Sequence, residues 1–206
     1  MFYDILDKKR MDLLPLFTAF KERFYLAGGT GLALQLGHRD SVDFDFFTSD
    51  HFDTVALHRD VLDFFSGRKI ETTLEEKDSI NIVIDGEIKL SFLRYPYKLL
   101  NPCLDEKYFR IASAEDIGCM KLSAIVSRAT WKDYIDLYFV LKKNPLDNLL
   151  KKMAQKIPDL DRNLILKSLV YFGDVLDEKI MFQRGFEVSR KEVEGFLEKQ
   201  VKALFN

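Results

Sequence analysis

The stretch FYLAGGTGLALQLGHRDSVDFDFF, residues 24–47, decides which fold the chain is expected to adopt. It opens with a short apolar run that suits a buried strand, and Gly28 and Gly29 then break that run. From Thr30 onward, apolar residues fall at helical spacing. Over residues 42–46, apolar and acidic residues alternate, and this alternation sends successive side chains of a strand to opposite faces. The stretch therefore predicts a strand, a glycine turn, a short helix and a second strand.

The second strand carries a pair of carboxylates on one face. Asp43 and Asp45 point the same way, and we expect Val42, Phe44 and Phe46 to point into the core. Two neighbouring carboxylates repel each other unless a cation lies between them. Oxygen ligands on a rigid strand suit Mg²⁺ or Mn²⁺, and Mg²⁺ usually binds one or two carboxylates together with phosphates. The sequence thus predicts a metal site at the pair, the alternative being a solvated strand face.

Phosphate binding is predicted next to this pair. Gly28 and Gly29 allow a backbone to approach a phosphate closely, and the helix that follows offers N–H groups without an intrahelical partner at its start. His38 and Arg39 come just before the acidic strand, where we expect them to contact a triphosphate.

Composition and charge narrow the class of protein. The chain has 206 residues, of which 47% are hydrophobic and 31% charged, as expected of a soluble domain with or without a helical extension. Its net charge of −2 gives no overall basic signal for nucleic-acid binding. Cys103 and Cys119 have no metal-ligand neighbour at a short spacing, which predicts free thiols. The charged first ten residues lack a signal-peptide core, and no apolar run is long enough for a membrane span. We therefore expect a soluble, cytoplasmic protein with no membrane partner.

The pattern changes from strands to helices near residue 112. Asp85-Gly86 between two β-rich runs predicts a tight hairpin. Further strands are expected near residues 69–76, 79–85, 87–93 and 107–111. Helices are expected near residues 3–22, 54–65, 117–128, 131–138, 146–156, 161–177 and 189–205. These patterns predict an α+β fold, in which a mixed β-sheet core with flanking helices spans residues 1–111 and a helical bundle spans 112–206. The active cleft is expected between these two parts.

Two blocks of the sequence resemble a known family. Gly28-Gly29, followed after thirteen residues by Asp43-Phe44-Asp45, resembles the signature of the DNA polymerase β-type nucleotidyltransferase superfamily. The longer segment AGGTGLALQLGHRDSVDFDFF resembles the AbiEii/AbiGii toxin branch of this superfamily. Members of that branch are the nucleotidyltransferases of bacterial type IV toxin–antitoxin systems. The block MKLSAIVSRATWKDYIDLYFVL, residues 120–141, resembles the same family.

The resemblance implies a reaction and roles for individual residues. The reaction is transfer of a nucleoside monophosphate from an NTP to an acceptor, with one or two Mg²⁺ ions (or Mn²⁺) held by Asp43 and Asp45. Gly28, Gly29 and Thr30 would form a cradle for the β- and γ-phosphates. Lys121, Arg128 and Arg39 would contact phosphates. Asp136 would be a base or an orienting group, and Asp133 would take part in nucleotide binding. The alternative for the second block is a salt-bridge cluster between its two cations and its two acids.

One position departs from the family pattern. The family core usually places a third acid on a strand beside the first two, and Ser91 stands at the matching position. Glu87 fills that role only if the register differs by four residues. The departure puts proton abstraction from an acceptor hydroxyl in question, because a carboxylate is the usual base. It leaves the metal pair in place.

The resemblance also implies partners. The family predicts a toxin with a cognate antitoxin, often a winged-helix transcriptional regulator, and its acceptors include tRNA ends, so an RNA acceptor is a candidate. A lysine cluster in the helical half is either a solvated face or an RNA-contacting surface; it comprises Lys142, Lys143, Lys151, Lys152 and Lys156. Two other classes stay open, namely a catalytically silent module that binds NTP and metal, and a non-enzymatic protein that binds a partner.

Overall fold

The computed structural model describes residues 1–175 and 178–205. Over these residues the chain forms a seven-stranded mixed sheet and eight α-helices. The strands are β1 (Tyr25–Leu26), β2 (Phe44–Thr48), β3 (Ile70–Glu76), β4 (Ser79–Ile84), β5 (Ile88–Arg94), β6 (Leu104–Asp105) and β7 (Arg110–Ile111). The helices are α1 (Lys8–Met11), α2 (Gly28–Leu36), α3 (Thr54–Phe64), α4 (Ala114–Ser127), α5 (Trp131–Leu141), α6 (Leu146–Lys156), α7 (Arg162–Val170) and α8 (Arg190–Lys202). The predicted α+β class with a mixed sheet is confirmed.

The sheet places the acidic strand at its centre. Its strand order is β3-β4-β5-β2-β1-β7-β6. Strand β2 runs parallel to β5 and antiparallel to β1, so two neighbours hold it from either side. In the β2–β5 register, Asp45 lies directly opposite Ser91. This pairing fixes which residue of β5 stands beside the acidic pair.

The hairpin between β4 and β5 forms where the sequence predicts it. Asp85 and Gly86 both adopt positive φ, +54° and +71°. Asp and Gly tolerate this left-handed conformation, which tight hairpin turns require. The N–H of Glu87 then donates to the carbonyl of Ile84 at 3.1 Å and closes the turn.

The predicted helix over residues 3–22 is wrong, because the segment is broken into three short pieces. They are a 3₁₀ turn at Tyr3–Ile5, helix α1, and a 3₁₀ segment at Leu14–Phe20. Asp7 caps α1 by accepting from the Arg10 N–H at 2.9 Å. Pro15, which has no N–H to donate, stands in the first turn of the last piece. The apolar residues of the segment nevertheless cover the sheet, and the Phe17 ring lies 4.8 Å from that of Phe44.

The helical half packs on the sheet through α2. Helix α4 contacts α5, α6 and α7, while α2 lies against both α4 and α5. Helix α7 ends at Val170, well before the predicted end, and positions 176–177 of that prediction lie outside the described residues. A continuous cluster of buried apolar side chains extends from Ile5 to Val201. The division into parts 1–111 and 112–206 stays a prediction.

Within the described residues, no helix has both the length and the apolar character that crossing a membrane requires.

Candidate active site

A cleft of about 300 Å³ lies where the acidic strand faces the connection between α4 and α5. Four segments line it: the start of α2, residues 39–45, strand β5, and residues 121–133. Of the predicted site residues, it brings together Gly29, Arg39, Asp43, Asp45, Lys121, Arg128 and Asp133. Gly28 lies beneath Asp45, and Thr30 and Asp136 are buried behind the cleft wall.

The two carboxylates of the predicted metal site both line the cleft. Asp45 lies on β2, and Asp43 directly precedes that strand. Phe44 and Phe46 are fully buried as predicted, but Val42 is 47% exposed, so its predicted core position is wrong. The alternation fails there because β2 begins only at Phe44. Residue 42 belongs to the preceding loop, where its carbonyl accepts from Arg10 Nε at 2.7 Å.

The two acids differ in their surroundings. Burial raises the pKa of Asp45, and the neighbouring charge of Asp43 raises it further, while a hydrogen bond from the Ser91 hydroxyl opposes the shift. Among the described residues, the Asp43 carboxylate has no hydrogen-bond or ion-pair partner. Asp45 is thus a carboxyl whose ionised form gains stability from a nearby cation.

These acids fit a hard divalent cation. They offer oxygen donors on one face of a cleft, and no lysine or arginine of the described residues is ion-paired with either of them. No group of three or more His, Cys, Asp or Glu side chains suited to a metal forms among those residues. A cation at Asp43 and Asp45 would therefore complete its shell with water and substrate oxygens, as Mg²⁺ commonly does.

The two glycines allow the side chains of Asp45 and Arg39 to approach the backbone of α2 closely. Gly28 has φ +62°, and a Cβ there would lie 2.7 Å from Asp45 Oδ2. A Cβ on Gly29 would lie 2.6 Å from Nη2 of Arg39. The glycines form the first turn of α2 instead of a turn before it, because the first intrahelical bond runs from the N–H of Gly31 to Ala27.

The Thr30 hydroxyl holds the acidic segment against α2. It donates to the backbone carbonyl of Asp43 and lies 2.8 Å from Ser41 Oγ. The side chain is 1% exposed and does not line the cleft. A phosphate contact at Thr30 would therefore come from its backbone N–H, which precedes the first intrahelical bond of α2.

Lys121 joins the helices α4 and α5 beneath the cleft. Its Nζ lies 2.8 Å from Asp133 Oδ1 and 2.6 Å from Asp136 Oδ2. Burial alone would lower the pKa of Lys121, but Asp136 and Asp133 outweigh burial and raise it, so the side chain is a cation. Arg128 binds Asp133 through Nε at 3.0 Å and Nη2 at 3.2 Å. The salt-bridge cluster foreseen as an alternative is present, and both cations also line the cleft.

Asp136 is the fully buried centre of a second set of contacts. Arg39 donates to its two oxygens through Nε at 2.7 Å and Nη2 at 2.8 Å, and His38 Nε2 lies 2.9 Å away. Burial favours the neutral acid, but Lys121 and Arg39 outweigh it and hold the pKa of Asp136 well below its usual value. An acid so placed orients its partners and is poorly suited to accept a proton from substrate.

His38 lies on the far side of Asp136 from the cleft. Its ring is 0% exposed and packs 5.0 Å from that of Phe139. Burial lowers the pKa of His38, so the ring is neutral and its Nε2–H donates to Asp136. The expected contact between His38 and a triphosphate is wrong, because the ring supports the Arg39–Asp136 pair from within the core.

Besides Ser91, six residues that line the cleft were not predicted as site residues: Asp40, Ser41, Val42, Lys89, Thr130 and Lys132. Lys89 precedes Ser91 by two residues, so strand alternation places both on one face. That signal was available, but a lysine on a strand ordinarily indicates a solvated face. Glu87 is excluded as the missing third acid, because it pairs with Lys9 outside the cleft and the register sets Ser91 opposite Asp45.

The lysine cluster of the helical half is largely neutralised. Lys151, Lys152 and Lys156 pair with Asp147, Glu115 and Asp116, and Lys156 is buried. Lys142 stands over the ring of Tyr138 at 4.5 Å. The cluster therefore offers less positive charge to an RNA than its sequence indicates.

Comparison with known proteins gives a consistent result. A family model described as "Nucleotidyl transferase AbiEii toxin, Type IV TA system" matches residues 16–206. "Uncharacterized protein aq_aa25" of Aquifex aeolicus is 40% identical over 185 residues, which cover 87% of this chain and 86% of that protein.

Two solved structures share the architecture. MenT4, nucleotidyltransferase toxin Rv2826c from Mycobacterium tuberculosis H37Rv, superposes with a TM-score of 0.59 at 16% identity, covering 96% of this chain and 82% of that one. The antibiotic-resistance factor ANT(2'')-Ia gives 0.51 at 13% identity, covering 73% and 92%. At these identities the likeness shows the fold.

Proposed function

Because this chain belongs to the AbiEii family of nucleotidyltransferase toxins of type IV toxin–antitoxin systems, we propose that it transfers a nucleoside monophosphate from an NTP to an acceptor. Pyrophosphate is the product that leaves. The observation that carries this proposal is the pair Asp43 and Asp45, which shares a cleft with Lys121 and Arg128 and has no cationic side chain of the described residues paired to it. Such a cleft has separate places for a metal and for phosphates.

Each wall of the cleft has a part in binding the triphosphate. Asp43 and Asp45 would hold Mg²⁺ or Mn²⁺, which when bound would neutralise charge on the phosphate oxygens. The backbone N–H groups of Gly28, Gly29 and Thr30 precede the first bond of α2 and donate to the β- and γ-phosphates.

The basic side chains neutralise the charge that develops on the leaving pyrophosphate. Arg128 has a 63% exposed side chain, and its Nε and Nη2 hold Asp133, while Nη1 has no partner within residues 1–175 and 178–205. Lys121 adds a compact positive charge beneath it. Arg39 is oriented by Asp136, and Asp133 orients the Lys121–Arg128 pair. These contacts keep the cations in place before the substrate arrives.

The serine at the third position is compatible with turnover. The attacking hydroxyl has to lose its proton, and with no carboxylate at position 91 that proton would pass to water. Positioning and charge neutralisation then supply most of the acceleration. Ser91 is also the observation that favours the second candidate, a silent module that binds NTP and metal without transfer.

An RNA end, such as that of a tRNA, is the acceptor we propose. Lys89 and Lys132 line the cleft, are exposed, and have no side-chain partner among the described residues. Phosphate backbones are attracted to such unpaired lysines in a salt-dependent way. As a toxin of the cytoplasm, the protein would be held inactive by a cognate antitoxin, and a winged-helix regulator encoded beside it is the proposed partner.

Calorimetry with NTPs, with and without Mg²⁺, tests the binding site. We expect Mg²⁺-dependent binding in the wild type and none in the double variant Asp43→Ala, Asp45→Ala. The matched control is Glu71→Ala, Glu76→Ala, which removes two exposed carboxylates from strand β3 and leaves binding unchanged. A folded wild type that binds no NTP contradicts both nucleotide-dependent functions and favours a protein that only binds a partner.

Transfer itself is tested by incubating the protein with α-labelled NTPs and total RNA. Label in RNA that depends on Asp43 and Asp45 supports the transferase. NTP binding without any labelling of RNA or protein identifies the silent module instead.

A further inference from the structure

The third position of the acidic site bears a hydroxyl. Ser91 lies opposite Asp45 in the parallel β2–β5 register, and the two residues line the same cleft. Two-metal sites hold their ions about 3.5–4 Å apart, one for the attacking oxygen and one for the leaving oxygen. A neutral hydroxyl is a poor replacement for a bridging acid between two such ions.

The other acids near the cleft are engaged elsewhere. Asp40 accepts from Gln183, and Asp133 accepts from Lys121, Arg128 and Thr130. Asp136 is buried behind the wall. In the part of the chain that the structure describes, two carboxylates are thus left for metal binding, which suffices for one Mg²⁺ with phosphates.

A lysine stands on the same strand face as the serine. Lys89 precedes Ser91 by two residues, lines the cleft and is exposed, and no acid pairs with it among the described residues. Lys121 and Arg128 already act electrostatically on Asp45. A second divalent cation would therefore enter a region that lacks a ligand and contains fixed positive charge.

We propose that this site holds one divalent cation, at Asp43 and Asp45, and that the Lys89 ammonium supplies the positive charge on the acceptor side by contacting the reacting phosphate of the nucleotide. This inference rests on the proposed function. It makes Ser91 the residue that limits the number of metal ions and Lys89 a residue that contacts the nucleotide directly.

Counting bound Mn²⁺ by equilibrium dialysis tests the metal number without any turnover. The probes are Mn²⁺ and each of the four ribonucleoside triphosphates with a methylene group between the α- and β-phosphorus. We expect one Mn²⁺ per chain in the wild type, two in Ser91→Asp, and one in the uncharged isostere Ser91→Asn.

The same analogues test the lysine. Lys89→Met should weaken analogue binding about ten-fold, as expected for loss of a charged hydrogen bond. Lys89→Arg should retain most of the affinity. The control is Lys77→Met, an exposed lysine in the β3–β4 turn, which should change nothing.

The outcomes separate the two proposals. Two Mn²⁺ in the wild type, or a second ion absent from a folded Ser91→Asp, overturns the inference and leaves the nucleotidyltransferase intact. Unaltered analogue affinity in Lys89→Met overturns the role of Lys89. A folded wild type that binds neither Mn²⁺ nor analogue removes the proposed function and the inference with it.

Discussion

Gly28 is the residue at which backbone conformation and the acidic site meet. Its φ is +62°, and a Cβ would lie 2.7 Å from Asp45 Oδ2. Gly28→Ala adds left-handed strain of about 1–2 kcal/mol and also displaces the carboxylate. We expect the free energy of unfolding, from urea titration, to fall by more than that strain, and Mn²⁺ affinity to fall with it.

Gly86→Ala is the matched control for this change. Gly86 has φ +71°, and no atom lies within 4 Å of a Cβ built there. Gly86→Ala therefore adds the left-handed backbone strain without a steric clash. Equal losses of stability in the two variants, with Mn²⁺ affinity intact in both, would show that Gly28 and Asp45 do not interfere.

Asp136 carries a prediction about pH. Asp136→Asn leaves Lys121 and Arg39 short of negative charge, and breaking a buried pair costs about 3–5 kcal/mol. Because the folded pKa of Asp136 is held well below its usual 3.8, its stabilisation is fully present above pH 3.8 and is lost as pH falls through the folded value. The free energy of unfolding of the wild type should thus drop below that pH more steeply than that of Asp136→Asn.

Glu198→Gln is the control for the charge change. Glu198 pairs with Lys202 at 3.6 Å on the surface of α8, where such pairs contribute about 0–1 kcal/mol. A loss in Asp136→Asn no larger than in Glu198→Gln would contradict the buried network.

Single residues also show what a sequence can reveal about a site. Asp43 and Asp45 were found because period two places them together, and Gly28 because it breaks an apolar run. The burial of His38 and the exposure of Lys89 in the cleft depend on which segments fold near them, and no local pattern carries that information.

At the scale of elements, two helical glycines should respond to alanine in opposite ways. A Cβ on Gly118 in α4 would lie 2.9 Å from Val140 Cγ1 and 3.3 Å from Leu149 Cδ2, so α4 packs closely on α5 and α6. Gly195 in α8 has no atom within 4 Å. We expect Gly118→Ala to lower the free energy of unfolding by about 1–2 kcal/mol through overpacking. Gly195→Ala should raise it by about 0.5–1 kcal/mol through helix propensity.

Urea titration of both variants measures these signs. Stabilisation by Gly118→Ala would mean that α4 can move away from α5 and α6 at little cost. Such a result would weaken the view that close helix packing fixes Lys121 over the two acids of α5.

Elements with local start signals were predictable. Asp53 and Ser113, whose residue types favour the N-cap position, cap α3 and α4 by accepting from the N–H groups of Ala56 and Asp116. Strand β6 was missed because both of its residues are exposed and its pairing with β7 supplies the only reason for it to be extended. The break in the first 22 residues was missed because a periodic apolar stripe survives without a continuous helix.

At the scale of the whole molecule, the continuous core predicts one cooperative unfolding transition. Buried apolar side chains connect the N-terminal segment to α8, and α2 packs on both α4 and α5. Trp131 is the single tryptophan and reports on the helical half, whereas far-UV circular dichroism reports on all helices and strands. The two urea curves should coincide. Separate midpoints would show that residues 1–111 and 112–206 unfold as independent units.

The fold class followed from the order of the patterns, because strands clustered early and helices late. The position of the cleft required more, since it depends on α2 lying against α4 and α5. The same region joins residues distant in sequence, since Arg39, which follows α2, binds Asp136 on α5, and only the folded chain shows this pair.

The link between α2 and β2 has a consequence for selectivity among nucleotides. The Ala27 N–H donates to the Asp45 carbonyl at 3.0 Å and Thr30 bonds the Asp43 carbonyl, so the helix start and the acids move as one body. In the proposed function, the helix start and the acids contact only the phosphates and the metal. The triphosphates of adenosine, guanosine, cytidine and uridine all present the same phosphates to this site. Substitutions that loosen it should weaken all four alike, and any preference for one base has to arise from the remaining walls of the cleft.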